Sequence, residues 1–210
     1  TLWGEIFPSD HRLRLTTEVL LFNSGKLNAD TIKMSLWSDN IESIQDSRGI
    51  GLSYTSSEIA RDQPEGNLHI FLALAPQETA RVRITHGGVY LGEVSVRIDS
   101  KNSWLLTESR YFPQPISHSD DPNWVKCEMF MTVSDSQTVV CPGKLVDVQE
   151  NAGRRTYHLK LDNPPLTFLS VSSARYVQKN HHHEGLMITT YLYPEDEGWA
   201  DSLVTSLGPV

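Results

Sequence analysis

From Arg12 to Leu21 the chain alternates strictly: Leu13, Leu15, Thr17, Val19 and Leu21 share one face, while Arg12, Arg14, Thr16 and Glu18 share the other. A period of two marks a half-buried strand, because successive side chains leave opposite faces of the pleat. The pattern recurs at Ile32-Met34-Leu36, Leu68-Ile70-Leu72-Leu74, Val82-Ile84, Val94-Val96-Ile98, Val125-Cys127-Met129-Met131-Val133, Tyr157-Leu159-Leu161 and Leu186-Ile188-Thr190-Leu192. Eight or more strands are predicted. Turn residues punctuate them at Asn23-Ser24-Gly25, Pro64-Glu65-Gly66-Asn67, His86-Gly87-Gly88, Pro142-Gly143 and Asp162-Asn163-Pro164-Pro165, and the stretch from Glu150 to Arg154 reads as a hairpin loop.

Only from Glu195 to Leu207 does a helical spacing recur, with Trp199, Leu203 and Leu207 four residues apart. Many short strands without interleaved helices argue for an all-β, multi-stranded antiparallel β-sandwich with one short C-terminal helix. The expected division is a β-sandwich domain over 1–194 and the start of a linker or helix over 195–210. Tyr111 to Asn123, rich in Pro, Ser and Asp, is expected to cross from one sheet to another.

Composition changes this picture little. Of 210 residues, 39% are hydrophobic, 9% aromatic and 21% charged, values of a folding globular chain. The 18 basic and 26 acidic residues leave a net charge of −8, which disfavours a nucleic-acid partner, whose phosphates need a basic face. No apolar run reaches transmembrane length, so no membrane contact by this segment is expected. The chain opens on Thr1 without an initiator Met or signal peptide, as a processed or excised fragment would. Cys127 and Cys141 fall in what read as neighbouring strands, where a cross-strand bridge is within geometric reach; two buried small hydrophobes is the plainer reading.

Candidate chemistry is sparse. His181-His182-His183-Glu184 is the one histidine cluster, and His181, His183 and Glu184 are its candidate metal ligands. A helical zinc motif needs a second His four residues after the first, and position 187 is Met. A solvated His-rich turn before the Leu186 strand is preferred over adventitious metal binding. His118, Asp120 and Asp121 form a second polar group, read as a turn starter over an acid, base or cation site. No nucleophile elbow or phosphate-cradling loop occurs, and no catalytic residue is assigned. Trp3, Trp37, Trp104, Trp124 and Trp199 stand beside apolar strand residues, so packing is preferred over a stacking platform for a glycan.

The order of features from residue 10 to 193 resembles the N-terminal domain of the alanyl/leucyl-type zinc aminopeptidases, the gluzincin family that includes leukotriene A4 hydrolase. The opening pair of strands with Asn23-Ser24-Gly25 between them is similar, as is Val82-Arg83-Ile84-Thr85-His86-Gly87-Gly88 after Pro76-Gln77-Glu78. The most telling likeness is Glu108-Ser109-Arg110-Tyr111-Phe112-Pro113, then Asp121-Pro122, Val125 to Phe130 and Gly143-Lys144-Leu145, followed by Thr156-Tyr157-His158 and the Pro164 to Leu169 segment. Gln114 stands where the family has Cys, and an insertion separates Pro113 from Asp121.

The resemblance implies a saddle-like β domain with no cofactor of its own. Zinc, the catalytic glutamate and the substrate-amine motif would belong to a following catalytic domain. It further implies that this domain packs on its own C-terminal catalytic domain, that a peptide is the parent's substrate, and that Arg110, Phe112, Pro113, Gln114 and Asp121 face that partner at the substrate rim. A membrane-associated or exported parent would fit. The competing reading is a free-standing β-sandwich module binding a protein or a glycan. An exposed aromatic row on one sheet would favour that module, and an exposed apolar patch near the C-terminal helix would favour a domain interface.

Overall fold

The structure is a computed structural model that describes residues 1–38, 40–57, 67–91, 96–116, 124–165, 169–183 and 185–205. Val94, Leu207 and the 64–66 part of an expected turn lie outside these residues. The framework is a seven-stranded sheet whose order is β13 (Lys144–Asn151), β14 (Arg154–Pro165), β11 (Trp124–Ser134), β1 (Leu2–Phe7), β2 (Arg12–Phe22), β7 (Thr79–Val89) and β4 (Asn40–Asp46). Every neighbouring pair is antiparallel except β1 and β11, which run parallel with Leu2 opposite Met129.

Two four-stranded sheets are separate from it. One has the order β10 (Gln114–Pro115), β3 (Ala29–Ser35), β6 (Leu68–Leu74), β5 (Tyr54–Ser56); the other has β12 (Thr138–Val140), β15 (Val171–Ala174), β9 (Asn102–Leu105), β8 (Val96–Ile98). Strands β16 (Val177–His183) and β17 (Leu186–Leu192) form a hairpin of their own.

Two cores result. The first buries Leu2, Leu13, Leu15, Met129, Met131 and Leu159 of the long sheet with Val96, Ile98, Leu105 and Val171. The second buries Val82, Ile84 and Ile44 with Met34, Leu68 and Ile70. The alternation read from the sequence is the alternation of burial in β2, where Leu13 and Leu15 are buried and Arg12 and Arg14 exposed. The hairpin at 150–154 forms as expected, its corner taking left-handed φ at Ala152 (49°) and Gly153 (74°).

Four expectations are corrected. Asp162-Asn163-Pro164-Pro165 is no turn but the end of strand β14, where Asp162 pairs with Lys126 and Pro165 with Trp124. His86-Gly87-Gly88 is no turn: it lies within β7, and Gly87 is required there because a Cβ would stand 2.3 Å from the Leu13 carbonyl oxygen. The histidine run is the end of strand β16 and not a turn before the Leu186 strand; the reversal comes at Gly185, whose φ is 82°. Cys127 and Cys141 are not on neighbouring strands, because β12, which ends just before Cys141, pairs with β15 in a different sheet from β11. Both are free thiols.

The C-terminal segment is a 3-10 turn over Pro194–Trp199 followed by α1 (Ala200–Thr205). Ala200 is fully buried, whereas Trp199 is 65% and Leu203 47% exposed. The four-residue stripe therefore points outward. Lys179 to Glu197 (3.5 Å) and His181 to Asp201 (3.8 Å) tie the segment to β16.

Candidate functional site

The crossing begins at a 3-10 turn over Thr107–Ser109, closed by Arg110 in the left-handed region (φ 56°) with its N–H donating to Thr107 O at 2.9 Å. The reversal turns the next residues inward. Tyr111, Phe112 and Pro113 are buried. Tyr111 donates its hydroxyl to Leu169 O and packs edge-on against Phe112, ring centroids 4.8 Å apart. Burial raises the Tyr111 phenol well above its ordinary pKa, and the thiols of Cys141 and Cys127 add to the effect.

Gln114 donates its side-chain amide to Thr107 O at 2.8 Å, and its strand pairs with Ser35 and Met34 of β3. Arg110 O accepts from Trp37 N–H at 2.9 Å, so the crossing is stitched to two other parts of the chain. Of the five residues expected at a partner surface, Arg110 and Gln114 are half-buried, Phe112 and Pro113 are buried and line a cleft, and Asp121 lies outside the described residues, as do His118 and Asp120.

That cleft, of about 570 Å³, opens at the start of β1. Phe112, Pro113 and Leu169 line it together with Val19 to Phe22 of β2 and Lys126 and Cys127 of β11. Burial raises the Cys127 pKa, which disfavours its thiolate, and burial, with the Cys127 thiol beside it, pushes Cys141 up to about 12.

The histidine run is laid out along strand β16. Across the hairpin His181, His182 and His183 pair with Ile188, Met187 and Leu186, residue types without a hard or imidazole donor. His181 instead approaches the Thr190 hydroxyl (3.5 Å) and the Asp201 carboxylate (3.8 Å), and Glu184 lies outside the described residues. Among the described residues no group of three or more His, Cys, Asp or Glu side chains could hold a metal ion.

One aromatic row does stand on the outer face of the long sheet, unforeseen in the sequence because it needs the parallel pairing of β1 with β11. Trp3 stacks on Phe130 (6.1 Å, 10°), and Phe130 on His158 (4.2 Å, 16°). The Arg83 guanidinium lies 5.8 Å from the Trp3 ring centre. The rings stand on the sheet and spend their faces on one another. A sugar platform needs a free ring face, so this row does not favour the glycan reading.

His86 is completely buried where the two cores meet, opposite Leu15 on β2 and Ile41 on β4, and neither ring nitrogen has a hydrogen-bond partner among the described residues. Desolvation lowers its pKa to about 4, against a smaller opposing pull from the Glu42 carboxylate. It is a neutral core histidine.

No protein-family model matches the chain, and no curated protein matches it. Solved structures do. The fold is similar to a zinc metallopeptidase of the M1 class from Deinococcus radiodurans (TM-score 0.67, 16% identity), over 90% of this chain and 44% of that one. A two-domain M1 zinc metallopeptidase bound to L-arginine matches at TM-score 0.67 and 15% identity, over 94% of this chain and 49% of that one. The Deinococcus radiodurans enzyme bound to a Tyr-Ser-Ala substrate matches at 0.65 and 16%, over the same shares. At such identities the likeness establishes the fold, and the chain spans less than half the length of each of these proteins.

Proposed function

We propose that this chain is the non-catalytic N-terminal domain of a zinc aminopeptidase-like protein, packing on a following catalytic domain and forming part of the rim of its peptide cleft. The observation that carries the reading is the asymmetry of coverage: at least nine-tenths of this chain is accounted for by less than half of a two-domain zinc peptidase. Two features of the surface agree with it. The aromatic row is closed on itself, and the last described segment leaves Trp199 and Leu203 uncovered, as a face awaiting another domain would.

In this reading the chain hydrolyses nothing by itself. Zinc and its ligands reside in the partner domain, where a metal-bound water would attack the peptide. Arg110 and Gln114, the half-buried members of the crossing, are the groups available to the rim. The test is hydrolysis of aminoacyl-anilide substrates with zinc supplied, comparing residues 1–210 with the longer protein. Activity confined to the longer protein is expected. Turnover by residues 1–210 alone would overturn the proposal.

A further inference from the structure

Three connections of the chain converge on one pocket of about 490 Å³: the turn that joins β8 to β9, the link from β15 to β16, and the residues that follow β17. Side chains hold them together. Asn102 Nδ2 donates to the Tyr193 hydroxyl oxygen at 2.6 Å, the Tyr193 ring lies against Tyr176 with centroids 5.7 Å apart, and the Tyr176 hydroxyl is 2.6 Å from Ser172 Oγ. The walls are therefore fixed by contacts that use none of the pocket's charged groups.

The β8–β9 turn spends its own carboxylate. Asp99 accepts from Arg97 Nε at 2.6 Å and from the backbone N–H groups of Lys101 and Asn102 at 2.9 Å each. Ser100, Lys101 and Arg175 line the pocket, are exposed, and have side chains without a hydrogen bond or ion pair among the described residues. Arginines elsewhere on the surface are answered, Arg14 by Glu42 and Arg155 by Glu150. The acid in the lining, Glu195, pairs with neither Lys101 nor Arg175, so two cations against one carboxylate leave the pocket net positive in a chain of net charge −8.

We propose that this pocket binds the phosphoryl group of a small molecule. Arg175 offers a planar fork of N–H donors, Lys101 a point charge and Ser100 a hydroxyl. Three donors of different geometry, brought from two segments, answer the three terminal oxygens of a phosphoryl group better than the two of a carboxylate. The volume leaves room for the organic remainder of the ligand beside Tyr193 and Pro194. Glu195 opposes the anion and keeps the affinity for bare phosphate modest. The proposal goes beyond the peptidase reading and does not rest on it.

Residues 1–210 titrated with inorganic phosphate at constant ionic strength, followed by the amide shifts of Lys101, Asn102 and Tyr193, should saturate, and acetate should bind about tenfold more weakly or worse. Lys101→Met and Arg175→Met should each weaken phosphate binding by about fivefold or more. Glu195→Gln should tighten it by about twofold, and Lys144→Met, at an exposed lysine outside the pocket, should leave it unchanged. All four side chains are exposed, so the melting temperature of each variant is expected to stay within about 2 °C. Shifts that do not saturate, acetate binding as tightly as phosphate, or an equal loss in the Lys144 variant would overturn the proposal.

Discussion

Trp3 and Trp199 are both partly open to solvent, at 36% and 65%, and they stand in opposite circumstances. Trp3 has its ring faces engaged, with Phe130 on one neighbouring strand and Arg83 further across the sheet. Trp199 has no ring partner among the stacked pairs, sits at the end of a 3-10 turn, and is followed on its exposed side by Leu203. A surface that saturates its own aromatics needs no partner to be stable. A surface that shows a largely exposed Trp and a partly exposed Leu beside a buried Ala200 is of the kind that a partner covers. The contrast separates the side of the molecule that completes itself from the side that the proposed catalytic domain would complete.

The largest expected effect lies behind the closed face, at His86. Its pKa is near the ordinary 6.5 in the unfolded chain and about 4 in the folded one, so the unfolded state binds a proton first as pH falls. The stability conferred by a neutral His86 is whole above about pH 6.5 and is lost progressively towards pH 4, a loss of about 3 kcal/mol. Glu42, Asp46 and Asp99 have lowered pKa values in the fold, so their contributions are whole above their ordinary values of 4.5 and 3.8 and are lost as pH falls below them, Glu42 beginning to fail near the acid end of the His86 window. Denaturant midpoints measured between pH 7 and pH 4 should fall accordingly, and His86→Leu should flatten that slope. An unchanged slope in the variant would show that another group carries it.

Next in size is the ladder itself. Phe130→Ala removes the middle ring, leaving Trp3 and His158 without their shared partner. A loss of about 2 kcal/mol is expected, seen as a fall in melting temperature of about 4–8 °C. A shift below about 1 °C would mean that the row is an arrangement of exposed rings and not a source of stability.

Smallest is the open side. Trp199→Ser with Leu203→Ser should alter the stability of residues 1–210 by no more than about 0.5 kcal/mol, since Trp199 is 65% and Leu203 47% exposed. In the longer protein the same pair should weaken the folding or activity of the whole. A large loss of stability in residues 1–210 would show that these side chains already pack at home, and would erase the contrast.

How far the sequence could be read follows the same physics. Strands covered on one face announced themselves: β2, β6, β11 and β14 carry clean alternation. Strands in other settings were silent. In β1 the inward position between Leu2 and Ile6 is Gly4, because the Met131 and Leu15 side chains fill the space a Cβ would need, so the apolar period is masked. Strand β13 is exposed at every position but Val148 and has no period to show. In β4 a bulge between Ile41 and Ser43 breaks the phase. Short β9 and β15 bury Ser103 and Ser173 where a hydrophobe is expected.

At the candidate site a crossing was expected over Tyr111 to Asn123, of which 117–123 lie outside the described residues; residues 106–113 lead from β9 of one small sheet to β10 of the other. The inward turn at Arg110 was not, since a left-handed arginine leaves no mark in composition. The cleft at the start of β1 was invisible, because it depends on a parallel pairing between residues more than a hundred positions apart. The helical stripe of Trp199 and Leu203 was visible, but its outward direction was set by Ala200 taking the buried position.

The most direct test is amide hydrogen exchange over residues 195–205, compared between residues 1–210 alone and the longer protein. Marked protection of this segment in the longer protein is the predicted result, since the catalytic domain would cover Trp199 and Leu203. Equal exchange in the two would contradict the claim that this face is a domain interface.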